Sequence, residues 1–241
     1  MSPNAVIAPD VARALQEGRP VVGLETSVFA QGLPYPQNLE AHRRMRAAIE
    51  HEGATPAVIA VLRGAVRVGL VEEEIRQIGE NEVPKLNSRD LAFALASGGD
   101  GALTVSGTVA VADRVGIRIV ATGGIGGVHR GWTQTLDISS DLSELARARV
   151  AVVTSGAKSV LDLAATLEVL ETLSVPVVGY RTRSAPGFFV ADTGLTLEHQ
   201  VDDASHAARL LDAHWESMNR SSGVVVCNPV PQEHALDREQ V

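Results

Sequence analysis

The sequence predicts an α/β fold, a single-domain α/β/α sandwich in which helices cover both sides of a mostly parallel sheet. Short apolar runs of strand length alternate with segments of helical spacing, which is the order that a parallel sheet with crossover helices requires. The composition agrees, because 45% of the residues are hydrophobic and only 3% aromatic, which suits aliphatic strands buried on both faces. No internal repeat or low-complexity linker divides the 241 residues, so we expect one domain over residues 1–241.

In the first half of the chain, apolar runs predict strands and periodic segments predict helices. Leu39, Met45 and Ile49 share one helical face, and Gly53 follows as a stop signal. Ser88 is a suitable N-cap for a second helix. The expected elements are strands at residues 20–24, 57–62, 66–70, 102–105 and 117–122, and helices at residues 38–52, 89–96 and 107–115. Strands 57–62 and 66–70 are expected to form a hairpin, and residues 26–37 a loop rich in glycine and proline.

The second half continues the alternation after a glycine-rich loop. The expected elements are helices at residues 142–147, 159–172 and 204–218, and strands at residues 150–154, 175–180 and 223–226. In open parallel sheets, ligands bind beyond the carboxyl ends of the strands. Glu25, Thr122 with its glycine loop and the loop 155–158 all follow predicted strands, so we expect the functional site there.

Composition also excludes several classes of function. The net charge is −8 and no basic stripe is interleaved with aromatic residues, which argues against a partner made of polymeric nucleic acid. Cys227 is the single cysteine, so neither an intramolecular disulfide nor a zinc cluster built on cysteines is expected. No apolar run reaches the length of a membrane span, and the N-terminus lacks the apolar core of a signal peptide. We therefore expect a cytoplasmic protein with no membrane partner.

Lysine is unusually scarce in this chain. Of the 21 lysines and arginines, only Lys85 and Lys158 are lysines. An arginine stays protonated, whereas an amine can lose its proton and then attack a carbonyl, so two retained lysines indicate sites that need an amine. The alternative is an arginine-biased composition in which two lysines remain by chance.

Two polar segments follow the strand at residues 117–122. The glycine run 123–131 lets the backbone approach a ligand closely, although it matches neither a dinucleotide fingerprint nor a P-loop and can equally be a tight turn containing a structural His129. Asp137 and Asp141 lie four residues apart with Ser139 and Ser140 between them. These oxygens suit Mg²⁺ or Mn²⁺, but their spacing alone favours the alternative, the N-cap and first turn of the next helix.

Two further residues are candidates for proton transfer or nucleophilic attack. Lys158 is expected at the start of a helix, where a neighbouring positive charge or an apolar pocket would lower the pKa of its amine and permit Schiff-base chemistry. The alternative is an ordinary loop lysine. Glu25 follows an apolar strand and is a candidate general acid or base, unless it is simply solvated.

Several of these segments occur together in a fixed order from about residue 5 to the C-terminus. They are Glu25-Thr26-Ser27, residues 32–38, Lys85 with Ser88-Arg89-Asp90, residues 122–131, residues 137–141, Gly156-Ala157-Lys158-Ser159 and Asn228-Pro229-Val230-Pro231. In this order and spacing they resemble the pseudouridine-5′-phosphate glycosidases.

The resemblance implies reversible cleavage of the C–C glycosidic bond of pseudouridine 5′-phosphate, a small phosphorylated nucleoside, to uracil and ribose 5-phosphate. It also implies a lyase that forms a homotrimer and binds one Mn²⁺ per subunit. By the same resemblance Lys158 is the Schiff-base nucleophile, Glu25 the proton donor and Asp137 the metal ligand. The substrate-binding positions that it implies are Lys85, Val105, His129, Ser139, Ser140 and Asp141.

Two departures from the family pattern keep other functions open. Family members usually continue as further helices beyond the Asn-Pro-x-Pro segment, and Gln31 stands where many of them have a histidine. The alternatives are a C-nucleoside synthase that joins ribose 5-phosphate to another aglycone, a Schiff-base aldolase acting on a phosphorylated sugar, and a truncated inactive homologue.

Overall fold

The structure is a computed structural model that describes residues 5–238. The predicted α/β class is confirmed, since mostly parallel strands are flanked by helices. The described residues divide into two compact units, with the boundary between Val120 and Ala121. The expectation of one domain over residues 1–241 stays a prediction, and its residues 1–4 and 239–241 lie outside the described part.

The first unit is built around a long buried strand. Its elements are β1 (Ala5–Ile7), α1 (Pro9–Gln16), β2 (Val21–Leu24), a π-helical turn (Val28–Gly32), α2 (Gln37–His51), β3 (Thr55–Leu62), β4 (Ala65–Val68), α3 (Glu72–Glu80), β5 (Lys85–Leu86), α4 (Leu91–Ser97), β6 (Gly101–Leu103) and α5 (Val105–Val115). Strand β7 (Ile119–Ala121) spans the boundary between the units.

Strand β3 organises the pairing of this unit. It pairs in parallel with β2, with Val21 opposite Thr55, and antiparallel with β4 and β6. Strand β1 joins β4 in parallel, and β5 joins β6 in parallel. Strand β3 is buried from Pro56 to Leu62, as expected for a continuous apolar run covered on both faces. The turn between β3 and β4 uses Arg63 and Gly64, both with positive φ, which suits a two-residue hairpin connection.

The second unit contains a fully parallel set of strands. Its elements are β8 (Val128–His129), α6 (Trp132–Thr135), α7 (Ser140–Leu145), β9 (Ala151–Thr154), β10 (Leu161–Asp162), α8 (Leu163–Thr172), β11 (Val177–Tyr180), β12 (His199–Val201), α9 (Ala204–Asp212), a π-helical turn (Ala213–Ser217), β13 (Val224–Cys227) and a short 3₁₀ helix (Gln232–His234).

The strands of this unit pair in the order β9, β13, β11 and β12. Val152 lies opposite Val225, and Val178 lies opposite Val226 and His199. The short strands β8 and β10 form a separate antiparallel pair. Because the sheet strands are parallel, their carboxyl ends meet at one edge, where Thr154 and Cys227 are followed by loops.

The structure corrects two predicted helix starts. Ser88 does not cap a helix, because α4 begins at Leu91 and the Ser88 N–H donates to Ser106 Oγ at 3.3 Å. The helix expected from residue 159 begins at Leu163, where Asp162 Oδ1 accepts from the Ala165 N–H at 3.0 Å. Lys158 therefore lies in a loop before β10, and not at a helix N-terminus.

Two helices of the first unit were missed in the sequence although their signals are present. Helix α1 begins with Pro9 and carries Asp10 in its first turn. Helix α3 has three glutamates in its first turn, and Glu74 Oε2 accepts from the Val71 N–H at 3.1 Å. Each helix is only eight or nine residues long and buries two residues, Val11 and Ala14 in α1 and Ile75 and Ile78 in α3, so its periodic pattern is short.

Across residues 5–238, no helix combines the length and the apolar character that crossing a membrane demands.

Candidate active site

The first unit buries the Glu25-Thr26-Ser27 segment at the end of β2. Only 6% of Glu25 is exposed, which rules out the simply solvated glutamate. Thr26 Oγ1 donates to the Ile59 carbonyl at 2.9 Å and accepts from the Leu103 N–H at 2.7 Å, so the segment is tied to two other strands. Ser27 Oγ donates to Glu25 Oε2 at 2.5 Å. A carboxyl group held in this way has a fixed position, which proton transfer to a reacting atom requires.

The same unit brings Lys85 and Val105 into one neighbourhood. Lys85 is exposed on β5, whereas the next residue, Leu86, is buried. The Leu86 carbonyl accepts from the N–H of Thr104, the N-cap of α5, at 2.9 Å. Val105, the first residue of α5, is buried. The helix start packs closely on this strand, because a Cβ at Gly107 would lie 2.9 Å from the Leu86 carbonyl oxygen.

In the second unit, the glycine run lies against the loop that carries Lys158. The Ser155 N–H donates to the Gly123 carbonyl at 3.1 Å, and the Ile125 N–H donates to the Gly156 carbonyl at 3.1 Å. The Lys158 N–H donates to the Ile125 carbonyl at 3.0 Å. Two segments that are about 30 residues apart in the sequence therefore form one rigid backbone platform.

The glycines of this run are needed because side chains approach from several directions. A Cβ at Gly126 would overlap Ser139 Oγ, and a Cβ at Gly127 would overlap Thr166 Oγ1. A Cβ at Gly124 would lie 2.5 Å from Phe188 Cδ2 and 3.3 Å from Lys158 Cγ. The close approach that the sequence suggested is thus made by the protein's own side chains, among them the half-buried Lys158.

The segment 137–141 contains two carboxylates in different environments. Asp141 is buried, and its Oδ2 accepts from the Gly126 N–H at 2.7 Å. Ser139 is the N-cap of α7, because its Oγ accepts from the Asp141 N–H at 3.2 Å, and its own N–H donates to the Gly127 carbonyl at 2.9 Å. Ser139 and Asp141 therefore form the N-cap and first turn of a helix, which was the alternative to a metal site, whereas Asp137 lies outside this cap.

Asp137 remains accessible next to His129. The His129 N–H donates to the Asp137 carbonyl at 3.0 Å, and His129 Nδ1 lies 3.7 Å from Asp137 Oδ2. Within residues 5–238, no three or more histidine, cysteine or acidic side chains form a group able to enclose a metal ion. One accessible carboxylate suits a hard ion such as Mn²⁺ that keeps several waters and contacts a phosphorylated ligand, and it does not suit a closed structural metal site.

The Asn228-Pro229-Val230-Pro231 segment lies beside the lysine loop. The Asn228 N–H donates to the Thr154 carbonyl at 2.8 Å, and Ser155 Oγ donates to the Asn228 carbonyl at 3.5 Å. The preceding residue, Cys227, is buried, and burial raises the pKa of its thiol to about 12. A thiol with this pKa is not a nucleophile at neutral pH, so Cys227 does not compete with the amine of Lys158.

Comparisons with known proteins support the family resemblance that these segments indicate. The family model described as indigoidine synthase A like protein matches residues 10–241. A pseudouridine-5′-phosphate glycosidase from Herpetosiphon aurantiacus is 49% identical over 98% of the chain and 78% of the relative's length. One from Caldanaerobacter subterraneus is 45% identical over 98% of the chain and 76% of the relative's length. The chain belongs to this pseudouridine-5′-phosphate glycosidase family.

Solved structures of related proteins share the fold. The prealnumycin C-glycosynthase AlnA, solved in complex with ribulose 5-phosphate, matches 99% of the chain and 78% of its own chain with a TM-score of 0.92 and 38% identity. An indigoidine synthase A-like protein from Thermotoga maritima matches 93% of the chain and 75% of its own with a TM-score of 0.88 and 37% identity. The predicted family membership is thereby confirmed.

Phe188 was missed by reasoning from the sequence. Its ring lies over Gly123 and Gly124, the second of which also faces the stem of Lys158, and no local pattern in the sequence marks it. The roles assigned to the other site residues by resemblance stay predictions.

Proposed function

We propose that this chain catalyses the reversible cleavage of pseudouridine 5′-phosphate to uracil and ribose 5-phosphate. The observation that carries the proposal is its identity of 45–49%, over almost the whole chain, to relatives bearing that activity in their names. The retained Lys158, packed on the glycine run, supports the chemistry that the activity needs.

The central step uses the amine of Lys158. A carbon leaving group cannot be expelled as a protonated alcohol, so the scheme of two carboxylates that serves ordinary glycosidases is poorly suited. In our proposal the C1′–O4′ bond breaks, O4′ takes up a proton, and Nζ forms a bond to C1′. The nitrogen lone pair then forms the iminium while the electron pair of the C1′–C5 bond passes to the uracil ring.

The remaining steps need a proton donor and water. Glu25 supplies the proton that the uracil carbon accepts, and its burial and bond from Ser27 suit a carboxyl with a defined position. Water then hydrolyses the iminium, which releases ribose 5-phosphate and regenerates the free amine of Lys158. In the synthetic direction the same bonds form in reverse order.

The other predicted site residues bind the substrate in this proposal. They are Lys85, Val105, His129, Ser139, Ser140 and Asp141. Asp137 holds one Mn²⁺ per subunit, with His129 beside it. When bound, the ion supplies positive charge that neutralises an anionic ligand and orients it. The lyase classification, the homotrimer and the cytoplasmic location expected from the sequence belong to the same proposal.

A C-nucleoside synthase is the second candidate, and the likeness to AlnA favours it. AlnA is named a C-glycosynthase and is 38% identical over 99% of this chain. The lysine and the acid would play the same parts in both reactions. Rates of ribose 5-phosphate coupling to uracil and to other nucleophilic rings separate the two candidates: a strong preference for a non-uracil ring would establish the synthase.

The proposed function is tested by trapping the imine. The protein is incubated with pseudouridine 5′-phosphate and borohydride, digested, and analysed by mass spectrometry. We expect a reduced pentose phosphate adduct on the peptide containing Lys158, together with released uracil. An aldolase would instead be trapped by borohydride with a free phosphorylated sugar and would leave pseudouridine 5′-phosphate unconsumed. The absence of both the adduct and released uracil would refute the proposal.

A further inference from the structure

An aromatic ring shares the glycine platform with the stem of Lys158. A Cβ at Gly123 would lie 2.9 Å from Phe188 Cε2 and 3.5 Å from Phe188 Cζ. At Gly124 the corresponding position is 2.5 Å from Phe188 Cδ2 and 3.3 Å from Lys158 Cγ. One edge of the phenyl ring therefore rests on the two glycines, directly beside the aliphatic part of the lysine side chain.

The backbone holds Phe188 in a conformation that bulky residues rarely adopt. Its φ is 60°, in the left-handed region that favours glycine. The Phe188 N–H donates to the Ser155 carbonyl at 2.9 Å, and Gly187 forms an antiparallel bridge with Gly156. Gly187 and Val190 also exchange backbone hydrogen bonds at 2.9 and 3.3 Å. The lysine loop thus fixes the position of this ring through the backbone of both segments.

Such a conformation persists only when the surroundings determine it, and it is concentrated at functional sites. Core packing does not explain it here, because Phe188 is half-buried and its neighbour Phe189 is 50% exposed. The ring is anchored at one edge by the glycines and meets the Phe189 ring edge-on, with 4.2 Å between the centroids.

The chemistry of the proposed function, on which this inference rests, dictates where the aglycone lies. Nζ of Lys158 bonds to C1′, and the uracil ring is attached to the same carbon until the C–C bond breaks. A planar heterocycle must therefore lie within two bonds of the lysine nitrogen at the moment it leaves. A flat apolar ring retains such a heterocycle by stacking, without needing matched hydrogen-bonding groups.

We propose that Phe188 is the stacking platform for the aglycone and a determinant of affinity for that half of the substrate. The sugar phosphate is bound by other groups, so loss of the ring weakens binding of uracil and not of ribose 5-phosphate. The residue does not take part in bond making.

The test compares Phe188→Leu with the wild-type protein in the synthetic direction. We expect the KM for uracil to rise roughly 5- to 150-fold, which corresponds to the loss of one base–aromatic stack. Borohydride trapping of ribose 5-phosphate on Lys158 is expected to keep its half-saturating concentration within about 2-fold. Phe188→Tyr, which keeps the ring, should restore the KM for uracil to near the wild-type value.

Phe93→Leu is the matched control, since it removes a phenyl ring that is 78% exposed on α4 of the first unit and should leave the KM for uracil unchanged. An unchanged uracil KM in Phe188→Leu would overturn the inference. A parallel loss of trapping with ribose 5-phosphate would overturn it too, because it would show that the ring supports Lys158 itself. Failure of the wild-type protein to form any adduct refutes the proposed function, and the inference with it, which is distinguishable from both results.

Discussion

The two units hold their candidate residues by different devices. In the first unit, Glu25 follows a strand and is fixed by buried side-chain hydrogen bonds, from Ser27 to its carboxylate and from Thr26 to a neighbouring strand. In the second unit, Lys158 lies on a platform of glycines whose backbone bonds hold the loop while its side chain remains half-buried. The hydrogen bonds of the first unit immobilise the side chain of Glu25. Those of the second unit immobilise only the backbone of the loop that carries Lys158.

This difference suits the two roles that we propose. A proton donor needs a fixed carboxyl group, while an amine that bonds to C1′ and later releases it must move with the substrate. Lys85 illustrates a third situation, since it is exposed at the end of a short strand and has neither device. The sequence alone does not distinguish Lys85 from Lys158, whereas the structure places them in different surroundings.

The largest expected effect separates the two lysines. Lys158→Ala and Lys158→Arg are both expected to reduce kcat by ~10³-fold or more, because a guanidinium keeps the charge but cannot form the imine. Lys85→Arg should keep kcat within about 10-fold and act mainly on KM, since its proposed role needs only positive charge. Steady-state cleavage of pseudouridine 5′-phosphate measures both.

Near wild-type turnover in Lys158→Arg would end the amine mechanism. Equal losses of kcat in Lys85→Arg and Lys158→Arg would show that the exposed lysine also takes part in chemistry. Far-ultraviolet circular dichroism of each variant controls for misfolding.

The second effect contrasts the two carboxylates of the segment 137–141. Asp137→Asn is expected to weaken Mn²⁺ binding by ~10-fold or more, because the accessible carboxylate is the proposed ligand. Asp141→Asn should leave Mn²⁺ affinity unchanged, since Asp141 is buried and bonded to the Gly126 N–H. Electron paramagnetic resonance of free Mn²⁺ measures the affinity without reference to activity. Removing metal with a chelator should lower cleavage, and added Mn²⁺ should restore it.

If Asp137→Asn binds Mn²⁺ as well as the wild-type protein, Asp137 is not the ligand. If chelation leaves cleavage at its full rate, the reaction needs no metal and the assignment of the ion fails with it.

Much of the fold was predictable because its strands are continuous apolar runs. The strand expected at residues 57–62 corresponds to β3, and that at 150–154 corresponds to β9. The start of α8 was not predictable, since Ser159 and Asp162 are equally good local caps. The pairing of Leu161 with His129 decides between them, and that contact joins distant parts of the chain.

The site was predictable as a set of segments and not as a geometry. The order of the segments identified Glu25, Asp137 and Lys158, and family membership is confirmed. Burial of Glu25 depends on the bonds of Thr26 with Ile59 and Leu103, and placement of Phe188 depends on its bond to Ser155. These interactions span 33 residues or more, so local pattern carries no information on them.

The third prediction tests the two anchoring devices through stability. Thr26→Val removes the acceptor of the buried Leu103 N–H, and Gly127→Ala forces a methyl group against Thr166. Each is expected to lower the free energy of unfolding by ~1–3 kcal/mol, the first through an unsatisfied donor and the second through overpacking. Thermal unfolding should show a fall in Tm of about 2–4 °C per kcal/mol.

Gly99→Ala is the control, because a Cβ there meets nothing within 4 Å and should change stability by less than ~0.5 kcal/mol. A Gly127→Ala protein as stable as this control would show that the glycine run shifts to accept a methyl group. The backbone of the lysine loop would then be held less rigidly than we infer.

The smallest effect concerns a buried histidine of the first unit, His42 on α2. His42 packs edge-on against Phe29 of the π-helical turn that follows Glu25, with 5.1 Å between the ring centroids. Among the described residues its Nε2 has no hydrogen-bond partner. Burial, and next the charge of Arg46, lowers the pKa of His42 from 6.5 to about 4, although the carboxylate of Glu72 acts in the opposite direction.

Because the unfolded chain binds the His42 proton more tightly than the folded protein does, stability should fall as the pH drops from about 6.5 towards 4. A single group of this kind contributes at most ~1.4 kcal/mol per pH unit in that window, and nothing well above it. The free energy of unfolding, measured with urea at pH 7.5 and at pH 5, should differ less between the two pH values in His42→Leu than in the wild-type protein. The substitution His51→Gln, at an exposed histidine, should leave this difference unchanged. An equal difference in His42→Leu would mean that folding does not lower the proton affinity of this histidine.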